Sequence, residues 1–198
     1  MFSFLVNFDI VISMKQLIKV STKTGDEGES GLIDGMRVPK NHPLFAAIGD
    51  VDELNSWLGL VVAKLSNEFS AHRAYLISVQ DALFYLGAEL ARSKNTKLSP
   101  SMVHELEKRS DELQQQLADD WHTKFLLPGG TELGGYLDIA RTVCRRAERS
   151  VVALSQQEDV RPVVFQYLNR FSDYLYILRC FVNHSLEYQE KQFVRNER

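Results

Sequence analysis

The sequence predicts an all-α fold, a bundle of five helices preceded by a glycine-rich loop. From residue 43 onward, apolar residues recur in long segments at the three- and four-residue spacing of a buried helix face. Prolines and polar breaks separate these segments, and the only extended piece that we predict is short and lies near residues 16–20. With 198 residues, of which 44% are hydrophobic, the chain is long enough for one domain with a sizeable core, or for two small domains.

Three helices are predicted in the first two thirds of the chain. Pro43 stands where a first helical residue is tolerated, and the pattern that it opens reaches about residue 65. A second helix, capped by Ser70, continues to about residue 90. After a polar break at residues 93–101, Pro100 opens a third, amphipathic helix that runs towards Leu117.

Two longer helices follow a loop at residues 119–130, in which Pro128 and two glycines stop regular structure. The fourth helix covers about residues 131–157, and Pro162 opens the fifth, which runs to about residue 188. We therefore expect three parts: an N-terminal extension at 1–17 with little order, a single five-helix domain at 18–190, and a C-terminal tail at 191–198.

The charge and the cysteine content exclude several classes of protein. A net charge of −3 gives no general electrostatic reason to bind nucleic acid or an anionic membrane. The two cysteines, Cys144 and Cys180, lie inside helical patterns, so we interpret them as free thiols in a reducing compartment.

The apolar N-terminal run does not have the pattern of a targeting segment. It is short, it is broken by Asp9, and no basic region precedes it, since Lys15 is the first cation. We expect a disordered or strand-like extension, with translation starting at either Met1 or Met14. These observations favour a cytoplasmic protein.

The loop at residues 21–40 is polar and flexible, with four glycines, four acidic residues and three basic residues. Its spacing is not that of a Walker loop, and no strand–turn–helix unit surrounds it, which excludes a Rossmann fingerprint. A glycine cluster marks close approach of the backbone to something else. Backbone N–H groups, Lys23 and Lys40 are able to hold a polyphosphate, with Mg²⁺ neutralising part of its charge.

The fourth helix carries a stripe of arginines in an otherwise apolar pattern. Arg141, Arg145 and Glu148 share one face with Val152, and Arg149 lies beside them. A solvated face with Arg–Glu pairs within the helix is one interpretation. Because apolar residues occupy most other sides, the alternative is an anionic partner, either carboxylate or phosphate, which guanidinium groups bind in bidentate fashion.

Two smaller polar pairs interrupt the first and the last helix. Asp52 and Asn55 share a face of the first helix, which either faces water or contacts a ligand. Asn169 and Asp173 lie four residues apart among aromatics, as a buried hydrogen-bonded pair or as ligand contacts. Together with the loop and the arginines, they indicate a helical protein that binds a nucleotide.

Five motifs, in order along residues 18 to 185, resemble those of PduO-type ATP:corrinoid adenosyltransferases. They read "TKTGDEGESGL", "RVPKNHP", "GDVDELNSWLG", "FLLPGGTELGGYLDIARTVCRRAER" and "YLNRFSDYLYIL". The resemblance implies a homotrimer of five-helix bundles with active sites between subunits. It also implies transfer of the 5′-deoxyadenosyl group of ATP to the cobalt of reduced cobalamin, with release of triphosphate.

The motif match also implies roles for individual residues. On one chain, ATP would contact Thr22, Lys23, Thr24, Gly25, Asp26, Ser30, Gly31 and Lys40. Residues of another chain would complete the site, namely Arg145, Arg146, Glu148, Arg149 and Asn169. Ser30 stands where many relatives carry threonine, and it keeps the hydroxyl group.

Three further residues match positions that handle the corrin or join the subunits. Asp52 and Arg141 resemble the family's intersubunit ion pair, and we count both, with Arg145, among the catalytic residues. Phe125 matches the aromatic residue that occupies the lower face of the corrin and displaces its axial base. A purely structural alternative for Phe125 is a loop aromatic that plugs the end of the bundle.

The residue inventory suits this chemistry, because cob(I)alamin is itself a strong nucleophile and needs no activated Ser, Cys or His. Mg²⁺ would accompany ATP, and no residue is assigned as its ligand. The resemblance further implies a Co(II) reductase upstream and an adenosylcobalamin-dependent enzyme downstream. Two alternatives are a non-catalytic bundle that senses ATP or carries a corrinoid, and a structural oligomer whose arginines pair only with carboxylates.

Overall fold

The computed structural model describes residues 21, 23–121, 123 and 125–194, and it confirms the five predicted helices. They are α1 (Pro43–Lys64), α2 (Ser70–Leu90), α3 (Pro100–Gln114), α4 (Glu132–Leu154) and α5 (Pro162–Ser185). A short 3₁₀ turn, Asn67–Phe69, precedes α2. The strand-like piece at 16–20 and the extension at 1–17 lie outside the described residues.

The helix starts follow the sequence signals, with one exception. Pro43 and Pro100 begin their helices after His42 and Ser99, whose side chains accept hydrogen bonds from the first turn. Ser70, however, is the first residue of α2 and not its cap. The 3₁₀ turn runs directly into this helix, and no side chain caps it.

Three helices end earlier than the apolar pattern indicates. Helix α3 ends at Gln114 because the chain turns over Gln116 and Leu117, which make i→i−3 backbone hydrogen bonds. Helix α4 ends at Leu154, and α5 ends at Ser185. Apolar periodicity continues through such turns, so it overestimates the length of the helix.

The core lies between the helices, with α5 the most buried of them. Helix α1 packs against α2 and α4, and α5 packs against α4 and α3. Tyr167, Phe171 and Tyr174 of α5 are at most 1% exposed. None of the helices that the structure describes combines the length and the apolar character needed to cross a membrane.

A two-stranded hairpin within the glycine-rich loop is the element that the sequence analysis missed. Strands β1 (Glu29–Gly31) and β2 (Arg37–Pro39) pair antiparallel, with Ser30 opposite Val38. Leu32 and Val38 are buried, so the loop does contain enough apolar material for a small packed element. The hairpin lies on the end of α2, where the N–H of Ile33 donates to the carbonyl of Ala91 at 3.2 Å.

A salt bridge ties the end of α2 to the start of α5. Arg161 donates to both carboxylate oxygens of Glu89 and to the carbonyl of Leu98, and the N–H of Leu98 donates to Glu89 at 2.9 Å. Burial alone raises the pKa of Glu89, but the guanidinium and the N–H group lower it overall. The pair therefore stabilises the fold above the ordinary carboxyl pKa of 4.5, and this contribution is lost as the pH falls through the lower folded value.

We expect Glu89→Gln to lower the free energy of unfolding by about 1–3 kcal/mol at pH 7. Urea unfolding at pH 7 and at acidic pH tests this, and the difference from wild type should shrink in acid. Glu105→Gln is the matched control, because Glu105 and its partner Arg109 are both 42% exposed and the pair contributes little. An equal loss for both variants, or a loss independent of pH, would contradict the assignment.

Candidate active site

The glycine-rich loop closes on itself through backbone hydrogen bonds. The N–H groups of Asp26 and Gly28 donate to the carbonyl oxygens of Lys23 and Gly25, at 3.4 and 3.3 Å. The N–H of Lys40 donates to the carbonyl of Gly28 at 2.8 Å, which brings the end of β2 beside this turn. Lys23 and Gly28 have positive φ angles of 60° and 84°, so the turn depends on left-handed backbone.

Lys40 and Arg37 hold the two sides of this turn. A Cβ atom on Gly25 would lie 2.9 Å from Lys40 Nζ, so the glycine lets the ammonium group approach the backbone. Arg37 donates from Nη2 to the carbonyl of Thr24 at 2.7 Å and pairs with Glu29 at 3.3 Å. A lysine beside exposed, turned backbone is the kind of arrangement that holds phosphate oxygens.

The structure thus brings Gly25 and Lys40 together and places the other predicted loop residues around them. Ser30 is half-buried in β1, and the exposed ones are Lys23, Thr24, Asp26 and Gly31. Thr22 lies outside the described residues. Within the described part of the chain, no three His, Cys, Asp or Glu side chains gather as a metal site.

Three of the predicted site residues, Phe125, Arg141 and Arg145, line a cleft of about 460 Å³ between α4, α5 and the loop before α4. Phe125, 84% exposed, stands at its edge, which excludes the bundle-plug interpretation. The guanidinium of Arg141 lies 5.9 Å from the centre of the Tyr176 ring. The cleft is lined by Thr123, Phe125, Leu126, Arg141, Arg145, Ser172, Asp173 and Tyr176.

The arginines of α4 have different environments. Arg145 is exposed, and within the described residues its side chain makes no hydrogen bond or ion pair. Arg149 donates to the carbonyl of Arg145 at 3.1 Å. Arg146 points to the other side of the helix, where it pairs with Asp50 at 3.0 Å and with Glu53 of α1. Arg145 is therefore the arginine most available to an anion in the cleft.

Glu148 and Asn169 meet between α4 and α5. Asn169 Nδ2 donates to Glu148 at 3.2 Å, and Arg170 donates to Asn169 Oδ1 at 2.7 Å. Asp173 is exposed and lies 3.8 Å from Arg170, so the buried pair between Asn169 and Asp173 does not form. The sequence placed both residues correctly on one helix face but gave no information about their partners on α4.

Asp52 lies in a second cleft, away from Arg141. This groove of about 490 Å³ runs between α1, α2 and the hairpin, and exposed Ile33 and Phe84 line it. Beside Asp52, the buried Oδ1 of Asn55 has no hydrogen-bond partner in the described structure. The Asp52 carboxylate likewise makes no ion pair with any described residue, so both polar groups remain available to a partner.

The side chain of Arg141 has one nearby carboxylate but lacks a hydrogen-bond acceptor for its Nε. Its Nε lies 3.5 Å from Asp138 Oδ1, yet this buried nitrogen makes no hydrogen bond to any described residue. A buried guanidinium N–H without an acceptor is costly. The geometry leaves room for a further anionic partner at Arg141.

A buried network below the Phe125 loop was missed in the sequence. Arg179, 1% exposed, pairs with Asp138 at 3.2 Å and with Glu190 at 2.7 Å. Burial alone lowers the pKa of Arg179, but these carboxylates raise it overall. The available signal was a charged residue within the apolar run "YILRCFVN", since such a charge requires buried partners.

Asn183 completes this network at the start of α4. Its side chain accepts hydrogen bonds from the N–H and the hydroxyl of Thr131, at 3.1 and 2.7 Å. A Cβ atom on Gly130 or Gly134 would lie 2.3 or 2.4 Å from the Asn183 amide. Both positions therefore require glycine, because a fixed side chain already fills the space.

The two halves of the candidate site do not meet within one chain. The loop rests on the end of α2, while the arginine cleft lies between α4 and α5. In the described residues, no hydrogen bond or ion pair joins residues 23–40 to Arg141, Arg145 or Arg149. In the described part of the chain, the loop and the arginine cleft are therefore two separate surfaces.

Comparison with known proteins points to one family. A sequence profile of the family "Cobalamin adenosyltransferase" matches residues 20–182. The chain is 39% identical over 191 residues to a corrinoid adenosyltransferase of Bacillus subtilis, covering 91% of this chain and 97% of that protein. It is 40% identical over 178 residues to a cobalamin adenosyltransferase of Cupriavidus metallidurans, covering 85% and 90%.

A solved structure shows the same fold with ligands bound. It is a phenylalanine-to-alanine variant of a PduO-type ATP:corrinoid adenosyltransferase from Lactobacillus reuteri, complexed with cobalamin and ATP. The TM-score is 0.84 at 32% identity, covering 89% of this chain and 100% of that chain.

Proposed function

The chain belongs to the cobalamin adenosyltransferase family, and on that premise we propose that it transfers the 5′-deoxyadenosyl group of ATP to the cobalt of cob(I)alamin. The products are adenosylcobalamin and triphosphate. The observation that carries this proposal is the match over residues 20–182, because this range contains both the glycine-rich loop and the arginine cleft. The Lactobacillus reuteri structure, which holds ATP and cobalamin, supports the same pair of substrates.

The proposed reaction is a displacement at C5′ of ATP. The electron pair of Co(I) forms the cobalt–carbon bond while the C5′–O5′ bond breaks, and O5′ leaves with its bonding pair as part of triphosphate. The protein has to hold C5′ near cobalt and stabilise the negative charge that develops on the leaving group. Arg145, which has no partner among the described residues, would bind that charge, and Gly25 and Lys40 would hold the phosphates.

We propose that the complete site forms between copies of a homotrimer. The groove that contains Asp52, Ile33 and Phe84 would cover the Arg141 cleft of the next copy, in a head-to-tail contact that closes into a ring. Ile33 and Phe84 are 61% and 70% exposed in the single chain, an apolar surface typical of an interface. Asp52 would then supply the anionic partner that Arg141 lacks.

Mg²⁺ is expected to enter with ATP. The described residues contain no cluster of three or more acidic, His or Cys side chains, but Mg²⁺ in nucleotide sites is held largely by phosphate oxygens and water. Asp26 is an exposed carboxylate beside the turn that we assign to the phosphates, so it is available to the ion or to its water shell.

The reaction consumes ATP and a strongly reducing cobalt, so we place it in the cytoplasm. The buried, free thiols of Cys144 and Cys180 are compatible with a reducing compartment. A Co(II) reductase would supply the substrate, and an adenosylcobalamin-dependent enzyme would receive the product.

Anaerobic incubation with ATP and chemically reduced cobalamin tests the proposed activity. We expect the absorption spectrum of adenosylcobalamin to appear together with triphosphate. Binding of ATP without its consumption would instead identify a sensor or a corrinoid carrier. Absence of any thermal shift with ATP would identify a structural oligomer.

Asp52 and Arg141 are expected to depend on each other across the subunit boundary. Asp52→Ala or Arg141→Ala should each weaken assembly or ATP binding by about 3–5 kcal/mol, because each leaves a buried charge without its partner. The double variant should be no worse than the worse single variant. Sedimentation velocity and the KM for ATP measure both effects.

Asp111→Ala provides the control, since this exposed aspartate lies on α3. It should leave assembly and KM unchanged. If the loss in the double variant equals the sum of the two single losses, Asp52 and Arg141 do not interact across the interface.

A further inference from the structure

The chain that follows α5 returns to the loop that carries Phe125 and pairs with it. The N–H of Phe193 donates to the carbonyl of Phe125 at 2.7 Å, and the N–H of Leu127 donates to the carbonyl of Lys191 at 2.8 Å. Leu126 and Gln192 form an antiparallel bridge between these two bonds. The backbone on both sides of Leu126 is therefore fixed by residues 191–193.

Glu190 anchors this returning segment to α5. Its Oε1 accepts from Arg179 at 2.7 Å and from Asn183 at 3.0 Å, and both donors belong to α5. The same two side chains donate to the loop itself: Arg179 reaches the carbonyls of Leu127 and Gly129, and Asn183 reaches that of Gly129. The buried Arg179 thus fixes the loop directly. Through Glu190 it also fixes the segment 191–193 that pairs with the loop.

Phe125 needs such support, because its own side chain packs against almost nothing in the single chain. It is 84% exposed, so its direction depends on the backbone that carries it. An aromatic ring that displaces an axial ligand has to resist being pushed aside, and an exposed ring on an unsupported loop would yield. The hydrogen bonds to residues 191–193 supply rigidity without covering the ring.

We infer that residues 190–193 form a positioning clamp, in which Glu190 and the Phe193 N–H hold Phe125 in the orientation that removes the lower axial ligand of the corrin. This inference rests on the proposed adenosyl transfer and on the role of Phe125 in it. Glu190 would contact neither substrate and would act through the loop. Residues 191–198 are predicted as a C-terminal tail, but residues 191–193 support the loop that lines the cleft.

Two variants test the clamp, each with its own reference. Glu190→Gln removes the charge that Arg179 and Asn183 bind, and Glu187→Gln removes an exposed charge three residues earlier. Phe193→Pro removes the N–H that donates to Phe125, and Phe193→Ala removes the same ring while keeping that N–H. The difference between the two variants of each pair measures the effect of losing the clamp contact alone.

Hydrogen exchange gives a readout that is independent of turnover. In Glu190→Gln and Phe193→Pro we expect the amide of Leu127 to lose protection, while α1 and α2 keep theirs. In the same variants, the four-coordinate Co(II) signal with ATP should decrease. Turnover started from Co(II) and a reductant should fall about tenfold, against about twofold from preformed Co(I).

The outcomes separate the clamp from the proposed function. Unchanged exchange and an unchanged Co(II) signal, in an enzyme that does make adenosylcobalamin, would overturn the clamp. Loss of protection in a protein that makes no adenosylcobalamin would leave the mechanical contact standing and overturn both the proposed function and the positioning role. An equal fall from Co(II) and Co(I) would assign Glu190 to stability alone.

Discussion

Arg145→Ala is expected to reduce adenosyl transfer by about a hundred- to a thousandfold while leaving the fold and the assembly intact. The side chain is exposed, lines the cleft and makes no ion pair among the described residues, so its loss leaves no buried group without a partner. We expect its charge to matter most when triphosphate begins to leave. Arg145→Lys should also be poor, since a point charge does not replace a bidentate guanidinium.

Turnover from preformed Co(I), at saturating ATP, measures this effect directly. Lys108→Ala removes a cation that is 67% exposed on α3, and it should match wild type in turnover and in unfolding midpoint. Near-normal activity of Arg145→Ala would show that the phosphates bind elsewhere. A fall in the unfolding midpoint equal to the loss of activity would indicate a structural role.

Phe125→Ala is expected to separate corrin handling from nucleotide handling. ATP binding and stability should stay nearly unchanged, because truncating a side chain that is 84% exposed leaves no cavity. Turnover from Co(II) and a reductant should fall about a hundredfold, since the axial base or water returns to cobalt and opposes reduction. Turnover from preformed Co(I) should suffer less, because Co(I) has little affinity for axial ligands.

Spectroscopy of the Co(II) complex with ATP decides the role of Phe125. Leu186→Ala is the control, since it removes an exposed apolar side chain at the end of α5. The four-coordinate signal should persist in the control and vanish in Phe125→Ala. Its persistence in Phe125→Ala would refute the wedge role.

The helices were predictable because each is specified locally. Pro43, Pro100 and Pro162 mark helix starts, and apolar spacing identifies the buried faces between them. The hairpin was missed because strands of three residues are too short to show alternation. The prediction of Ser70 as a cap was wrong because a 3₁₀ turn runs directly into α2, and such a turn leaves no signal in the sequence spacing.

The sequence predicted which types of residue the site contains, but it did not predict which residues form ion pairs with one another. The sequence places Arg145 and Arg146 next to each other, yet only the packing of α4 on α1 shows that Arg146 is already paired with Asp50. The network of Asp138 and Arg179 joins residues 41 positions apart, and no local pattern encodes such a contact. A charge in an apolar run predicts that a partner exists, and the fold decides which residue it is.

The contrast between the glycines around Asn183 and the ring of Phe125 bears on how this protein can evolve. Gly130 and Gly134 have no spare volume, so substitution there has to displace the Asn183 amide and the start of α4. Phe125, five residues before Gly130, touches so little of the bundle that a substitution there leaves the packing of the helices unchanged. The fold therefore tolerates a change at Phe125 that it does not tolerate at Gly130 or Gly134, so a substitution at Phe125 alters the proposed chemistry without unfolding the protein.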